Sequence, residues 1–283
     1  MSIYLDEKNP GKHKPFEDAS PDVVAYVRYL EVIAGKSANT AFSYYCDLRG
    51  FSRFMKRRRG LVPADCELKD IDPKGLDAAF WASVTKEDIY EYLYFLGSEC
   101  GNKKSSTARR LASLHGFYDY LVNQVNKLEA DPTAAIHPPK QDKVLPKYLT
   151  AEQSMDLLES TQFQSDFPER DYCMVVLFLN CGMRLAELVG MDLEDIDLEN
   201  RQIRLFGKGH KERMVYLNDA CMEALQLYLN KRNTMEGLLP KERAVFITRR
   251  RKERIGNRRV EQLVTGAMKA AGLKGFSTHK LRH

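Results

Sequence analysis

The chain has 283 residues, 43% of them hydrophobic and 29% charged, which is enough for two domains with packed cores and excludes global disorder. Its 44 basic and 39 acidic residues give a net charge of +5, a weak pointer to a polyanionic partner. No apolar run reaches membrane-spanning length, residues 1–18 hold no apolar signal core, and six cysteines stand without a CxxC pair, so the chain reads as a cytoplasmic protein with reduced thiols and no membrane partner.

Residues 1–19 are polar, with Pro and Lys, and read as a flexible arm. Ser20-Pro21 reads as an N-cap followed by a first-turn proline, and Val23, Val27, Leu30 and Ala34 then recur at helical spacing as far as Gly35. A second helix is expected after Asn39, with Tyr44, Leu48, Phe51 and Met55 on one stripe and Arg49, Arg53 and Lys56 on its other faces. Residues 60–84, with Pro63, Pro73 and Gly75, read as a long connection. Thr85, with Asp88 three residues on, opens a third helix through Ile89, Tyr92, Leu93 and Leu96. Ser105 or Ser106 caps a fourth, which carries Arg109 and Arg110 and buries Leu111, Leu114, Tyr118, Leu121 and Val125. Residues 20–130 are therefore expected to form one all-helical domain.

Residues 131–149 break that pattern with Pro132, Pro138, Pro139 and Pro146 and read as a linker. A second domain is expected over 150–283. Thr150 with Gln153 opens it as a capping box, DYCMVVLFLN reads as a buried helix, and GMRLAELVGM as a tight turn and another helix. The period then changes. Ile203 and Leu205, then Val215 and Leu217, alternate with polar residues around a turn at Gly207–Lys211, which is a β-hairpin. Helices over 220–231 and 260–271 follow, the second closed by Gly272.

Basic clusters stand at 56–59, at Lys103-Lys104 with Arg109-Arg110, and at Arg249, Arg250, Arg251 and Lys252 with Arg254, Arg258 and Arg259. Each alone reads equally well as a solvated surface; their recurrence in both halves favours nucleic acid. Four further residues fall beside turns or helix starts, where side chains converge: Arg184, Lys208, His279 and Arg282. Two guanidinium groups, a loop ammonium and an imidazole suit one phosphodiester and the added charge of its transition state, and Glu187, one turn past Arg184, can orient a partner among them. Each residue singly also has an ordinary structural role open to it. His279 and His283 are four apart, but Lys280 replaces a general-base glutamate and no third ligand is evident, so no metal site is expected.

CGMRLAELVGM, the hairpin GKGHKERMVYL and the terminal STHKLRH together resemble the catalytic domain of the tyrosine site-specific recombinases, the phage integrase family, in its Xer-like branch. NTAFSYYCDLRGFSRFM and RRLASLHGFYDYL resemble that family's helical core-binding domain. The resemblance implies an all-α, SAM-like helical bundle followed by a mainly helical α+β catalytic domain with a small antiparallel sheet. It implies strand exchange in double-stranded DNA through a 3′-phosphotyrosyl link, without cofactor or metal. Arg184 and Arg282 would clamp the non-bridging oxygens and Lys208 would protonate the leaving 5′ oxygen. His279 would assist proton transfer, Glu187 would brace the site, and His283 would support it. Family members act as tetramers on two duplexes.

In the family the helix begun by the terminal box continues to the nucleophilic tyrosine. Tyr172, Tyr216 and Tyr228 all precede the box here, and none suits that role. The expectation is therefore an incomplete recombinase that binds DNA without cleaving it. The rival reading is a non-catalytic DNA-binding regulator or decoy. The two domains are expected to clamp the duplex, with Arg49, Arg53, Lys56, Arg109 and Arg110 on one side and Lys211, Arg213, Arg249, Arg250 and Arg251 on the other.

Overall fold

A computed structural model of the chain describes residues 16, 18–63, 65–140, 148–163, 165–207, 212–278 and 281. It divides into two units, residues 1–143 and 144–283.

The elements described in the first unit are helical. Pro21 sets the start of α1 (Pro21–Val32), as its fixed φ suits a first turn, but the Ser20 hydroxyl makes no capping bond and is buried. α2 (Ala38–Arg58) starts earlier than the sequence suggests: Ser37 accepts the Thr40 amide, so the cap lies before Asn39. The stretch read as a plain connection holds a 3₁₀ turn at Leu68–Asp70 and the short α3 (Ala78–Ala82), which Asp77 caps. α4 (Lys86–Ser98) carries the expected Thr85–Asp88 capping box. α5 (Lys104–Asp119) has Lys103 at its N-cap, before both serines proposed for that role, and loosens into a π turn over Tyr120–Gln124.

These helices close around the chain's one tryptophan. Trp81 is fully buried, with Phe51 stacked at 6.5 Å and Phe117 edge-on at 5.0 Å. α5 crowds α1 at Gly116, where an added Cβ would lie 2.3 Å from the Tyr26 hydroxyl. Glycine stands there because no side chain fits.

The second unit opens with α6 (Ala151–Phe163), where Thr150 and Gln153 exchange capping bonds as expected. α7 (Pro168–Cys181) is the buried DYCMVVLFLN helix, packed between α6 and α9 (Asp219–Asn233). α8 (Leu185–Gly190) follows at once. A three-stranded antiparallel sheet comes next, in the order β1 (Ile196–Asp197), β2 (Gln202–Phe206), β3 (Glu212–Tyr216). The β2–β3 hairpin matches the change of period in the sequence, whereas two-residue β1 is too short to leave one. α10 (Asn257–Ala270) ends at Gly272, whose φ is +71°.

Two buried arginines fasten the irregular segment between α9 and α10. Arg232 continues the buried helical stripe of Cys221, Leu225 and Tyr228 and donates to the carbonyls of Glu242 (2.9 Å) and Ala244 (2.8 Å). Arg170 pairs with Asp171 (2.6 Å) and donates to the Ile247 carbonyl (3.0 Å). Neither was picked out from the sequence. The signal was an arginine in phase with an apolar stripe, a position that demands an acceptor inside the core.

Candidate active site

α7 ends in a left-handed turn at Gly182, φ +54°, which reverses the chain sharply enough to bring Arg184 to the start of α8. Arg184 and Glu187 are one turn apart and meet. The Arg184 amide donates to Glu187 Oε2 at 2.8 Å, and its guanidinium Nη1 donates to Glu187 Oε1 at 2.6 Å. The Glu187 side chain is 2% exposed and that of Arg184 is 47% exposed. A buried anion thus anchors a cation that still faces outward.

Arg213 completes the cluster. Its Nη2 donates to Glu187 Oε2 at 2.7 Å and to the Gly182 carbonyl at 3.3 Å. Strand register explains how it gets there. Ile203 pairs with Val215 and Leu205 with Arg213, so Arg213 shares the face that buries Ile203, Leu205 and Val215. The sequence reading placed Arg213 on the duplex as a backbone contact; the structure gives it an internal acceptor. Its phase with Val215 and Leu217 was the legible signal.

Burial works to raise the Glu187 carboxyl. Hydrogen bonds from Arg213 and from the Arg184 amide and guanidinium outweigh it and hold the group below its ordinary range. Glu187 is therefore a fixed carboxylate at neutral pH. Two guanidinium groups on one carboxylate leave the cluster with a net positive charge, suited to an anion. The far end of α8 is stapled by Arg254, which donates to the carbonyls of Val189 (2.7 Å) and Met191 (3.0 Å).

Lys208, Lys211, His279, Arg282 and His283 lie outside the described residues. Of the sequence-derived cluster, Arg184 and Glu187 are the described members, and they are in direct contact. Among the described residues no group of three or more His, Cys, Asp or Glu side chains could hold a metal ion, and no helix is long and apolar enough to cross a membrane.

The candidate DNA-facing residues fare unequally. Arg49 pairs with Asp18 at 3.2 Å and lies over the Tyr45 ring, and Arg53 donates to the Ile71 carbonyl at 2.9 Å. Lys56 is half-buried on α2. Arg109 makes two bonds to Asp47 while staying half exposed. Arg110 is the exception. It is buried against the same Asp47, at 3.5 Å, so a backbone contact is not open to it, and the reason is that it shares the inward stripe of Leu111 and Leu114. Arg249, Arg250 and Arg251 are exposed and, with Asp166, Arg170, Thr248 and Arg259, line a cavity of about 510 Å³.

Tyr228 is buried. Its hydroxyl donates to the Val245 carbonyl (2.9 Å) and accepts the Ile247 amide (3.2 Å), and burial raises it far above its ordinary value. It is a core residue. Tyr172 packs against the core of the second unit, and Tyr216 is an exposed strand residue.

Comparison with known proteins agrees with this architecture. The model of the phage integrase family matches residues 147–283. The tyrosine recombinase XerC of Caldanaerobacter subterraneus subsp. tengcongensis is 40% identical over 265 residues, which are 93% of this chain and 73% of that protein. XerC of Chlamydia pneumoniae is 29% identical over 262 residues, 92% of this chain and 83% of its own length. The fold is similar to that of a lambda integrase tetramer bound to a Holliday junction, with a TM-score of 0.63 at 20% identity over 92% of this chain and 67% of that one. The antiparallel sheet within a mainly helical unit, the Arg184–Glu187 turn and a relative at this level of identity lead to one assignment: the chain belongs to the phage integrase family of tyrosine recombinases.

Proposed function

We propose that this protein is a site-specific DNA recombinase whose Arg184 holds a phosphodiester of duplex DNA. The observation that carries the reading is the half-exposed Arg184 guanidinium fixed on a buried carboxylate that a second arginine braces. A guanidinium held in this way offers its free edge to a phosphate without first losing rotamer freedom.

In this reading Arg184 and Arg282 hold the two non-bridging oxygens and offset the charge gained when phosphorus becomes pentacoordinate. The tyrosine oxygen bonds to phosphorus, the bond to the 5′ oxygen breaks, and Lys208 gives that oxygen its proton. His279 hydrogen-bonds the phosphate, with His283 behind it. Reversal with a 5′ hydroxyl from a partner strand rejoins the backbone. The phosphotyrosyl link keeps the bond energy, so neither nucleotide cofactor nor metal is needed. Tyr172, Tyr216 and Tyr228 do not supply the nucleophile. Recombination proceeds as a homotetramer on two duplexes; the lambda integrase of similar fold is a tetramer bound to a Holliday junction. The helical unit of residues 20–130 and the unit of 150–283, joined by 131–149, each contribute contacts to duplex DNA.

Two measurements test this. Titration of a labelled duplex over a salt series is expected to give a log–log slope of about −0.9 per phosphate neutralised, and a flat response would overturn the DNA reading. Incubation with a nicked suicide duplex is expected to leave no SDS-stable adduct on Tyr172, Tyr216 or Tyr228, and a covalent link mapped to one of them would show that it is the nucleophile after all. Duplex binding indifferent to Arg184→Ala would favour a regulator that uses other surfaces.

A further inference from the structure

We infer that Arg213 is a positioning residue of the Arg184 site: by taking Glu187 Oε2 and the Gly182 carbonyl, it leaves Arg184, among the described residues, tied through one guanidinium nitrogen, with the rest of its fork open to an anion. This rests on the phosphodiester reading given above and adds to it a third, non-contacting arginine.

The geometry has three parts. Glu187 is buried and has two oxygens to satisfy. Arg213 takes Oε2 at 2.7 Å, Arg184 Nη1 takes Oε1 at 2.6 Å, and the Arg184 amide shares Oε2 at 2.8 Å. Without Arg213 the carboxylate would lose its competing cation. The common arrangement of a lone arginine and carboxylate is then the fork, with two parallel bonds. Arg184 would turn inward, and the cluster would lose its net positive charge.

The second part is the backbone. Gly182 carries the left-handed turn that aims Arg184, and the Arg213 guanidinium is bonded to that residue's carbonyl. One side chain therefore steadies both the anion and the turn. The third part is the lack of an alternative. Arg213 lies on the core-facing side of β3, and its Nε is shielded from solvent and has no acceptor among the described residues. An arginine in this register is costly unless its charge is answered from inside, and Glu187 answers it.

The experiment is a double-mutant cycle on the full chain, read by affinity for a 30-base-pair duplex at low salt and by the pH midpoint of the Glu187 ¹³C carboxyl signal. Arg213→Gln is expected to raise that midpoint and to weaken duplex binding about three- to tenfold, the scale of one lost charge-assisted contact. Arg213→Lys keeps the charge on Glu187 and should restore most of both readouts. In a Glu187→Gln background the affinity loss from Arg213→Gln should vanish. An equal loss in both backgrounds would overturn the inference in favour of a direct contact between Arg213 and the DNA backbone. A Glu187 midpoint unmoved by Arg213→Gln would overturn it outright. Duplex affinity unaffected by Arg184→Ala would count against the phosphodiester reading instead, and the carboxyl midpoint would still decide the role of Arg213.

Discussion

Replacing Glu187 with alanine removes the anion on which the site is built. Three hydrogen bonds disappear together: from the Arg184 amide (2.8 Å), the Arg184 guanidinium (2.6 Å) and the Arg213 guanidinium (2.7 Å). Hydrogen bonds to a charged group contribute about 1.5–3 kcal/mol each. The two arginine side chains are 47% and 35% exposed and regain water when released, so the sum must be discounted. A loss of about 2–4 kcal/mol remains, most of it felt in α8 and β3. The lone tryptophan lies at position 81, in the other unit, and does not report on it. Hydrogen exchange of peptides spanning 182–190 and 212–217 does, and a loss of that size corresponds to roughly 30- to 1,000-fold faster exchange where opening involves this cluster. The pH dependence has a definite sign. Glu187 titrates below its ordinary value of 4.5 when folded, so its contribution is complete above that pH and is lost as pH falls through the lowered folded value. The difference between wild type and variant should therefore shrink from about pH 4.5 downward. A change in protection under about threefold, or a difference as large in acid as at pH 7, would refute the reasoning.

Other substitutions probe other parts of the account. Gly116→Ala forces a methyl group against the Tyr26 hydroxyl and should cost about 1–3 kcal/mol in urea unfolding followed by Trp81 fluorescence; a change under about 0.5 kcal/mol would mean α1 and α5 separate freely. Tyr228→Phe keeps the ring but loses the bonds to Val245 and Ile247, so stability should fall by about 1–2 kcal/mol while duplex affinity stays the same; lost affinity would show that Tyr228 serves more than the core. Arg250→Ala should reduce the steepness of the salt dependence of duplex binding by about 0.9, whereas Arg110→Ala should lower stability and leave the slope alone. The reverse outcome would exchange their roles.

Much of this was legible in the sequence, and the misses share a cause. Helices and the hairpin could be read because a stripe such as Tyr44, Leu48, Phe51 and Met55, or the alternation of Ile203 and Leu205, repeats over several turns or strand pairs. Single-residue decisions left no such repeat. The α2 cap lies at Ser37 because that hydroxyl meets the Thr40 amide, and Asn39 was an equally good cap on composition. Arginines were the hardest. Runs of basic residues read as one solvated surface, yet Arg109 and Arg110 share the buried Asp47, and Arg213 and Arg254 hold α8 from its two ends. A basic residue in phase with apolar neighbours faces inward, and its partner is a carboxylate or carbonyl that only the folded chain brings near. Arg184 and Glu187 were identifiable in advance because the pair is local, three residues apart across one helical turn.

The central claim is that Arg184 receives a DNA phosphate. A structure of the chain bound to duplex DNA tests it most directly. The account predicts a backbone phosphate within about 3 Å of the Arg184 guanidinium, with Glu187 behind it and Arg213 off the DNA. A duplex bound elsewhere, with Arg184 open to solvent or Arg213 itself on a phosphate, would contradict it.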